Sequence, residues 1–236
     1  MLMCGISFGF SAVFGTPLAG TVFGMEVLAL GALRLEALLP CLVAAYVGDL
    51  TCRFLGITHH AYSAGAMPAL TAGIWGGILL LGALSAGVAA LFSLSTEAVG
   101  HGFKKLLPHH PFLRPAVGGV LVIVLALGFG REYLGLSLPL LEKAFQPGGV
   151  ILFAFALKLV FTAVTLGSGF KGGEVTPLFV IGATLGSSVA TVGHWPVGFF
   201  AALGFVAVFA GAANTPLTCA LMGIELFGAP MAIPLL

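Results

Sequence analysis

The stretch "GTPLAGTVFGMEVL", residues 15–28, has a near copy, "NTPLTCALMGIELF", at residues 214–227. A Thr-Pro-Leu triplet, a glycine and a glutamate recur without a gap at a constant offset of 199 residues. Apolar segments resemble each other by chance, but this combination favours a true internal repeat. Internal repeats are the usual build of ion transporters, so the stretch predicts a fold of that kind.

Both copies have the sequence of a helix start. Threonine is favoured immediately before a helix, and proline is tolerated at the first helical position because the N–H that it lacks would have no partner there. We therefore predict that Thr16-Pro17 and Thr215-Pro216 are repeated structural helix starts.

Each repeat also carries a carboxylate, Glu26 or Glu225, ten residues after its threonine. A carboxylate inside a membrane segment is costly unless it is partnered or hydrated, so each glutamate is a candidate functional group. A position near the end of a helix would instead let the side chain reach water at the headgroups. We favour this structural interpretation, and the functional one stays open.

The composition places the chain in a membrane. Hydrophobic residues make up 59% of the sequence and charged residues 7%, whereas a soluble domain has about 25% charged residues. So few charges cannot cover a globular surface in water. A net charge of +1 gives no argument for a nucleic-acid partner, and four scattered cysteines without a C-x-x-C pair predict packed thiols.

Several apolar segments are short for membrane spans. They cover 14–17 residues between glycines or prolines, whereas a simple span needs about 20. Short, broken helices predict an all-α transporter core in which helix ends meet inside the membrane. The most basic connection, residues 95–115, is expected as a cytoplasmic loop. The eight predicted segments are Ile6–Leu33, Leu35–Leu55, Leu70–Leu94, Val117–Gly130, Val150–Leu166, Thr176–Val192, Val197–Ala213 and Thr215–Phe227.

A second stretch, "GSGFKGGEVTPLFVIGATLG" at residues 167–186, allows two interpretations. Gly167, Gly169 and Gly172 fit the G-x-G-x-x-G dinucleotide fingerprint, which requires a preceding strand and an acidic residue about 20 positions later. The preceding run, Val150–Leu166, is too long for a buried strand, and no carboxylate follows at the required distance. We therefore reject a nucleotide site.

The same stretch has the features of an anion site. Thr176 is a natural N-cap and Pro177 suits a first turn, so we predict a helix over Leu178–Val189. Unpaired N–H groups and the dipole at a helix start bind anions, and glycines allow close approach of the backbone. A solvated surface loop with a charged cap is the alternative. The predicted site comprises Gly173, Glu174, Val175, Thr176 and Pro177.

The remaining polar residues suggest no further site. The pairs His59-His60 and His109-His110 cannot share a helix face, and neither has an acidic neighbour at helical spacing, so we predict loop residues and neither a metal nor a cofactor. Lys158 falls in the middle of an apolar segment and needs a buried partner or a path to the surface, which the sequence does not identify.

Three stretches resemble the CLC family of chloride channels and anion/proton antiporters. The segment "GEVTPLFVIGATLG" (173–186) is similar to the G-x-F-x-P anion-binding motif of that family. The segment "ISFGFSAVFGTPLAGTVFGMEVL" (6–28) is similar to the helix pair after its gating-glutamate motif, and "GAANTPLTCALMGIEL" (211–226) to its dimer-interface helix. The resemblance implies a bundle of tilted and broken transmembrane helices with inverted repeats, a transported halide and a homodimer.

Departures from the family pattern point to one branch. Glu174 and Val175 stand where the family has a small aliphatic and an aromatic residue, and Gly-Gly-Glu-Val-Thr-Pro resembles the bacterial fluoride/proton antiporters. In that branch the equivalents of Glu174 and Thr176 are implicated in fluoride and proton passage. Chloride/proton exchangers carry a second glutamate at the position of Val27, so the resemblance favours fluoride over chloride exchange.

These inferences predict an integral protein of a bacterial inner membrane, with residues 1–236 as a single CLC-type domain that exports fluoride coupled to protons. The expected partners are a halide ion, protons, the lipid bilayer and a second copy of the protein. A chloride channel of the same fold is the first alternative, and an intramembrane enzyme, which would need a nucleophile or metal set that the sequence does not reveal, is the second.

The repeat also bears on the extent of the chain. An offset of 199 residues places the partner of Glu174 before Met1, and the sequence begins and ends in apolar residues. We therefore expect a fragment without the start of the first repeat and without the last helices, which should not transport ions alone. The resemblance places the gating-glutamate motif and an anion-coordinating tyrosine of the family outside this sequence.

Overall fold

The computed structural model describes residues 1–28, 34–59 and 62–235. Residues 29–33, at the end of the first predicted segment, and His60, of the first histidine pair, lie outside the described residues. The described residues form eleven α-helices and contain no β-strand, which confirms the all-α prediction. The helices are α1 (Leu2–Phe14), α2 (Pro17–Glu26), α3 (Leu38–Phe54), α4 (Ala72–Leu106), α5 (Leu113–Phe129), α6 (Leu138–Ala144), α7 (Ala154–Gly167), α8 (Val175–Gly193), α9 (Val197–Ala213), α10 (Pro216–Phe227) and α11 (Ala232–Leu235).

Within the described residues, three helical stretches are long and apolar enough to cross a membrane, namely Leu35–Phe54, Ala72–Leu106 and Val175–Gly193. The first joins a short 3₁₀ turn to α3, and the other two are α4 and α8. The helices α1, α5, α7, α9 and α10 are apolar but shorter, with 10–17 residues each. The short, interrupted helices expected from the sequence are therefore present beside the longer ones.

The basic segment 95–115 is a loop only in its middle. Helix α4 continues to Leu106, so Lys104 and Lys105 lie in its last turn, where cations interact favourably with the helix dipole. Residues 107–112 connect α4 to α5 and contain the pair His109-His110. The loop prediction was therefore too long at both ends, because the polar residues of 95–106 belong to the end of an otherwise apolar helix.

The chain divides into two compact units. The first comprises Met1–Met67 and Phe209–Leu236, and the second comprises Pro68–Val208. In the first unit α1, α2 and α3 pack against one another, and α2 also packs against α10. A Cβ at Gly24 of α2 would lie only 2.6 Å from the backbone oxygen of Met3 in α1, so this close packing requires a glycine.

In the second unit α7 packs against α4, α5 and α8. Most of α8 is buried. Gly182 and Gly186 of α8 lie directly against the backbone of α9 at Gly204 and Phe200, where any side chain would collide with a carbonyl oxygen. This packing through small residues, which is typical of membrane helices, holds α8 in place and thereby positions the predicted anion site at its start.

Candidate functional site

Helix α8 begins earlier than the sequence predicted. Glu174, and not Thr176, occupies the N-cap position, and the helix runs over Val175–Gly193. Pro177 fits inside the first turn because the first four N–H groups of a helix have no intrahelical partner, so a proline there removes no hydrogen bond. The Glu174 carbonyl accepts a hydrogen bond from Leu178 N at 3.0 Å. The predicted N-cap was therefore wrong by two residues, although Pro177 does lie in the first turn of a helix.

The approach to α8 presents a row of unpaired amide groups. The N–H groups of Gly172 and Gly173 donate no backbone hydrogen bond within the described residues. Val175 and Thr176 are the first two helical residues, whose N–H groups have no intrahelical acceptor. The dipole of a 19-residue helix adds positive potential at the same place. The segment therefore has the donors and the field that a small anion requires.

The Glu174 side chain lines a cavity of about 520 Å³ next to α4. It is exposed and makes no capping hydrogen bond to its own helix. Glu97, His101 and Lys104 line the same cavity, and their i, i+4, i+7 spacing puts them on one face of α4. The carboxylate thus adjoins both the unpaired amides and a group of titratable side chains.

Sequence reasoning missed these three residues of α4. Their helical spacing is visible in the sequence, but it is equally typical of a solvated helix face. Nothing local indicates that the end of α4 lies beside the start of α8, because the two segments are separated by about 70 residues.

Gly172, Gly173 and Pro177 line a different cavity, of about 320 Å³, which also contains Lys158 of α7. The glycine segment before α8 therefore borders two cavities, one lined by Glu174 and the other by Lys158. The five predicted site residues are contiguous in the chain, but only three of them line these cavities: Gly173 and Pro177 line the one with Lys158, and Glu174 lines the other.

The structure identifies the partners of Lys158, which the sequence left open. Its Nζ lies 3.0 Å from the carbonyl oxygen of Tyr133, 2.6 Å from that of Gly135 and 2.8 Å from the Ser137 hydroxyl. All three acceptors belong to the connection between α5 and α6. The carbonyl groups of any loop can accept hydrogen bonds from a buried lysine, so no sequence signal links this particular loop to Lys158.

The two repeats meet at their helix starts. Helix α2 begins at Pro17 after the N-cap Thr16, and α10 begins at Pro216 after the N-cap Thr215. Neither threonine side chain makes a capping hydrogen bond. The first-turn N–H groups of both helices are instead bound by glutamates of the opposite repeat.

Glu26, at the end of α2, binds the start of α10. Its carboxylate accepts hydrogen bonds from Leu217 N at 3.1 Å, from Thr218 N at 2.8 Å and from the Thr218 hydroxyl at 2.6 Å. This arrangement places a negative charge at the positive end of the α10 dipole while satisfying both backbone donors. The glutamate therefore has a structural partner, which is a helix start rather than water at the headgroups.

Glu225 of α10 makes the reciprocal contact with α2. Its carboxylate accepts hydrogen bonds from Leu18 N at 2.9 Å and from Ala19 N at 2.8 Å. Donors and acceptors in the two contacts are related by the same offset of 199 residues that relates the repeats in sequence. Helices α2 and α10 are thus joined as an antiparallel pair with local two-fold pseudosymmetry.

The first histidine pair has a local structural role where it is described. His59 Nε2 lies 2.9 Å from the carbonyl oxygen of Ala12, so this nitrogen carries the proton and donates it. The ring also packs against Gly15, which ends α1 with φ of 69°. His59 therefore ties the connection after α3 to the turn between α1 and α2.

Comparisons with known proteins agree with this architecture. The whole chain, residues 1–236, matches the profile of the voltage gated chloride channel family. The chain is 45% identical over 244 residues to a chloride/fluoride channel protein from Pseudomonas syringae pv. tomato, with 98% of this chain and 52% of the relative covered. It is 30% identical over 252 residues to a putative chloride channel protein ClcB-like from Ralstonia nicotianae, with 96% of this chain and 54% of the relative covered.

A solved structure shares the fold. The crystal structure of a CLC-type fluoride/proton antiporter matches with a TM-score of 0.92 and 33% sequence identity, covering 99% of this chain and 60% of that chain. The predicted CLC-type bundle of membrane helices is therefore confirmed. The chain spans about half the length of the curated relatives that it matches.

Proposed function

The chain belongs to the voltage gated chloride channel family, and from this premise we propose that the protein containing it exports fluoride across a bacterial inner membrane in exchange for protons. The observation that carries the proposal is the position of Glu174, a titratable carboxylate beside a row of unpaired amide donors. A similar protein is named a chloride/fluoride channel, and a similar structure is titled a fluoride/proton antiporter. The function is transport, so no enzymatic step is assigned to these residues.

The proposed anion site is the start of α8. Fluoride is small and is a strong hydrogen-bond acceptor, so it gains most from several donors that converge on one point. The N–H groups of Glu174, Val175 and Thr176 supply backbone donors, and the Thr176 hydroxyl, which has no partner among the described residues, supplies another. The missing N–H of Pro177 limits the helical donors to the first two positions.

Glu174 couples the anion to protons in this proposal. Ionised, its carboxylate competes with the halide for the same amide donors. Protonated, it no longer repels the anion and can donate its own hydrogen bond to fluoride. Halide occupancy and proton occupancy are therefore linked at one place, which is the requirement for exchange. The cavity shared with Glu97, His101 and Lys104 gives the carboxylate access to water and to other titratable groups.

Reconstitution of the complete protein into liposomes tests this function. Vesicles loaded with fluoride are placed in a proton gradient, and fluoride is followed with an electrode while internal pH is followed with a dye. Exchange predicts that the proton gradient drives fluoride uphill and that each fluoride efflux is accompanied by proton entry. Fluoride flux that never exceeds its own electrochemical gradient, without proton movement, would instead establish a passive channel.

The chloride channel is the second candidate, because one similar protein is named a putative chloride channel. Glu174 at the N-cap of α8 favours an exchanger over a channel, because a carboxylate beside the anion donors can take up the proton that an exchanger must carry. The same liposomes loaded with chloride decide between the two. We expect chloride efflux to be far slower than fluoride efflux.

We also propose that the complete protein is a homodimer. The motivation is the likeness of residues 211–226 to a dimer-interface helix. Ala220 and Gly223 of α10 are buried within their own unit, whereas Leu217 and Ile233 are exposed, so these larger residues are the candidates for contact with a second copy. Cross-linking in mild detergent should give a dimer.

We further place residues 95–115 on the cytoplasmic side, which accessibility labelling of Lys104 and Lys105 would test.

A further inference from the structure

Hydrogen-bond donors and acceptors fix the charge of Lys158. The carbonyl groups of Tyr133 and Gly135 can only accept hydrogen bonds from its Nζ. The Ser137 hydroxyl donates its single proton to the Leu134 carbonyl at 3.2 Å, so it also accepts from Lys158. Three acceptors require three N–H donors, which a neutral amine does not have. Lys158 is therefore an ammonium cation.

This cation has no counter-charge within the part of the chain that the structure describes. The residue is 2% exposed. The ion pairs Arg53–Asp49 and Lys143–Glu132 lie elsewhere and do not include it. Three neutral oxygens solvate the ammonium group only in part, and a buried charge in a membrane segment without an opposite charge is strongly unfavourable. The site is therefore completed by something negative.

The cavity beside Lys158 has room for that charge. Its volume of about 320 Å³ exceeds that of a single small ion, and Thr162 and Thr165 line it together with the lysine. Gly172 and Gly173 lie on its wall, and their N–H groups have no backbone acceptor among the described residues. The cavity thus combines a fixed positive charge with backbone donors, and none of the described residues that line it is a carboxylate.

We propose that this cavity is a second subsite for a small anion, in which the ion's charge compensates Lys158 and its hydrogen bonds come from Gly172 and Gly173. It is separate from the Glu174 position, which faces the other cavity. The subsite deepens the proposed function and rests on it only in taking a halide as the ion. Lys158 acts on the anion through its charge, because its three N–H groups are already engaged.

The experiment measures halide binding to the complete protein in detergent. Sodium fluoride and sodium chloride are titrated calorimetrically into protein in a halide-free buffer. Lys158→Gln keeps N–H donors for the loop but removes the charge, and we expect fluoride affinity to fall on the order of tenfold or more. Lys158→Arg keeps the charge and should retain binding. Lys143→Gln, which removes a partly exposed positive charge that does not line the cavity, is the matched control and should leave affinity unchanged.

Wild-type affinity in a folded Lys158→Gln variant would overturn the proposal and leave the lysine as a tie for the loop. An equal loss in Lys143→Gln would also overturn it, because net positive charge rather than the buried lysine would then set affinity. If Lys158→Gln does not fold, a structure of the complete wild-type protein decides. A carboxylate within ion-pair distance of Lys158 contradicts the subsite, and an unpaired lysine beside an ion-filled cavity supports it.

Failure of this inference is distinguishable from failure of the proposed function. Glu174→Gln addresses proton coupling, whereas Lys158→Gln addresses anion affinity. Weakened fluoride binding in the lysine variant, together with unchanged coupling in the glutamate variant, would support the subsite and reject the coupling role.

Discussion

The starts of α2 and α10 differ instructively from the start of α8. All three combine a threonine, a proline and a nearby glutamate, and in all three the first turn offers two N–H donors. In α2 and α10 a carboxylate from the opposite repeat occupies those donors at 2.8–3.1 Å. In α8 no side-chain cap fills them, and Glu174 stands beside them at the N-cap.

The comparison indicates how similar local sequences serve two purposes: the starts of α2 and α10 join two helices, and the start of α8 is the proposed anion site. A helix start attracts negative charge in every case. Where a glutamate of the protein supplies the charge, the start is permanently satisfied and joins two helices. Where no glutamate among the described residues binds the first-turn N–H groups, as at α8, a mobile anion can bind them instead. Position of the proline matters too, since it is the first residue of α2 and α10 but the third of α8.

The largest expected effect comes from removing the carboxylate of Glu26, which joins the end of α2 to the start of α10. Glu26→Ala removes the acceptor of three hydrogen bonds and leaves two backbone N–H groups of α10 unsatisfied. We expect a loss of about 3 kcal/mol in the free energy of unfolding, measured by thermal unfolding of the complete protein in detergent. Glu36→Ala, at an exposed glutamate in a 3₁₀ turn, is the matched control and should change little. Equal melting temperatures for both variants would show that the hydrogen bonds between Glu26 and the start of α10 do not stabilise the protein.

The reciprocal joint should matter less. Glu225→Ala removes the acceptor of two hydrogen bonds, those of Leu18 and Ala19, and no hydroxyl bond. We therefore expect a loss of about 2 kcal/mol by the same measurement. A larger loss than for Glu26→Ala would contradict the ranking by hydrogen bonds. In the double variant the two losses should be non-additive, because both contacts hold the same pair of helices.

A smaller effect is expected on the open start of α8. Thr176→Val keeps the shape of the side chain but removes its hydroxyl donor. Fluoride affinity should fall on the order of tenfold, while chloride, a weaker acceptor, should lose less. The unfolding temperature should change little, since the Thr176 hydroxyl makes no hydrogen bond within the described residues. Halide titration of the complete protein measures both affinities, and an unchanged fluoride-to-chloride ratio would exclude the hydroxyl from the site.

Much of the fold followed from local pattern. Charge content identified a membrane chain, glycine and proline positions marked short helices, and the repeat located the starts of α2 and α10. Recognition of the glycine-glutamate stretch before α8 also needed only neighbouring residues. These features are set by backbone chemistry over a few positions, so the sequence displays them directly.

The remaining features depend on contacts between distant residues. Glu26 and Glu225 were correctly placed at helix ends, but an end position does not reveal that each binds the other repeat. The N-cap of α8 was misplaced because proline is tolerated at several first-turn positions, so it does not define the register. Lys158 acquired its partners from a loop more than 20 residues away, and Glu174 acquired its cavity from α4.

The coupling role of Glu174 is the central claim, and proton-coupled fluoride flux in Glu174→Gln liposomes tests it most directly. Glutamine preserves the size of the side chain, so the helix start and the fold should be retained. Glu36→Gln, which removes an exposed carboxylate that lines neither cavity, is the matched control. We predict that Glu174→Gln loses fluoride-linked proton movement while Glu36→Gln keeps it. Exchange by Glu174→Gln at the wild-type rate and ratio of fluoride to protons would contradict the account and leave Glu174 as a residue that merely flanks a helix.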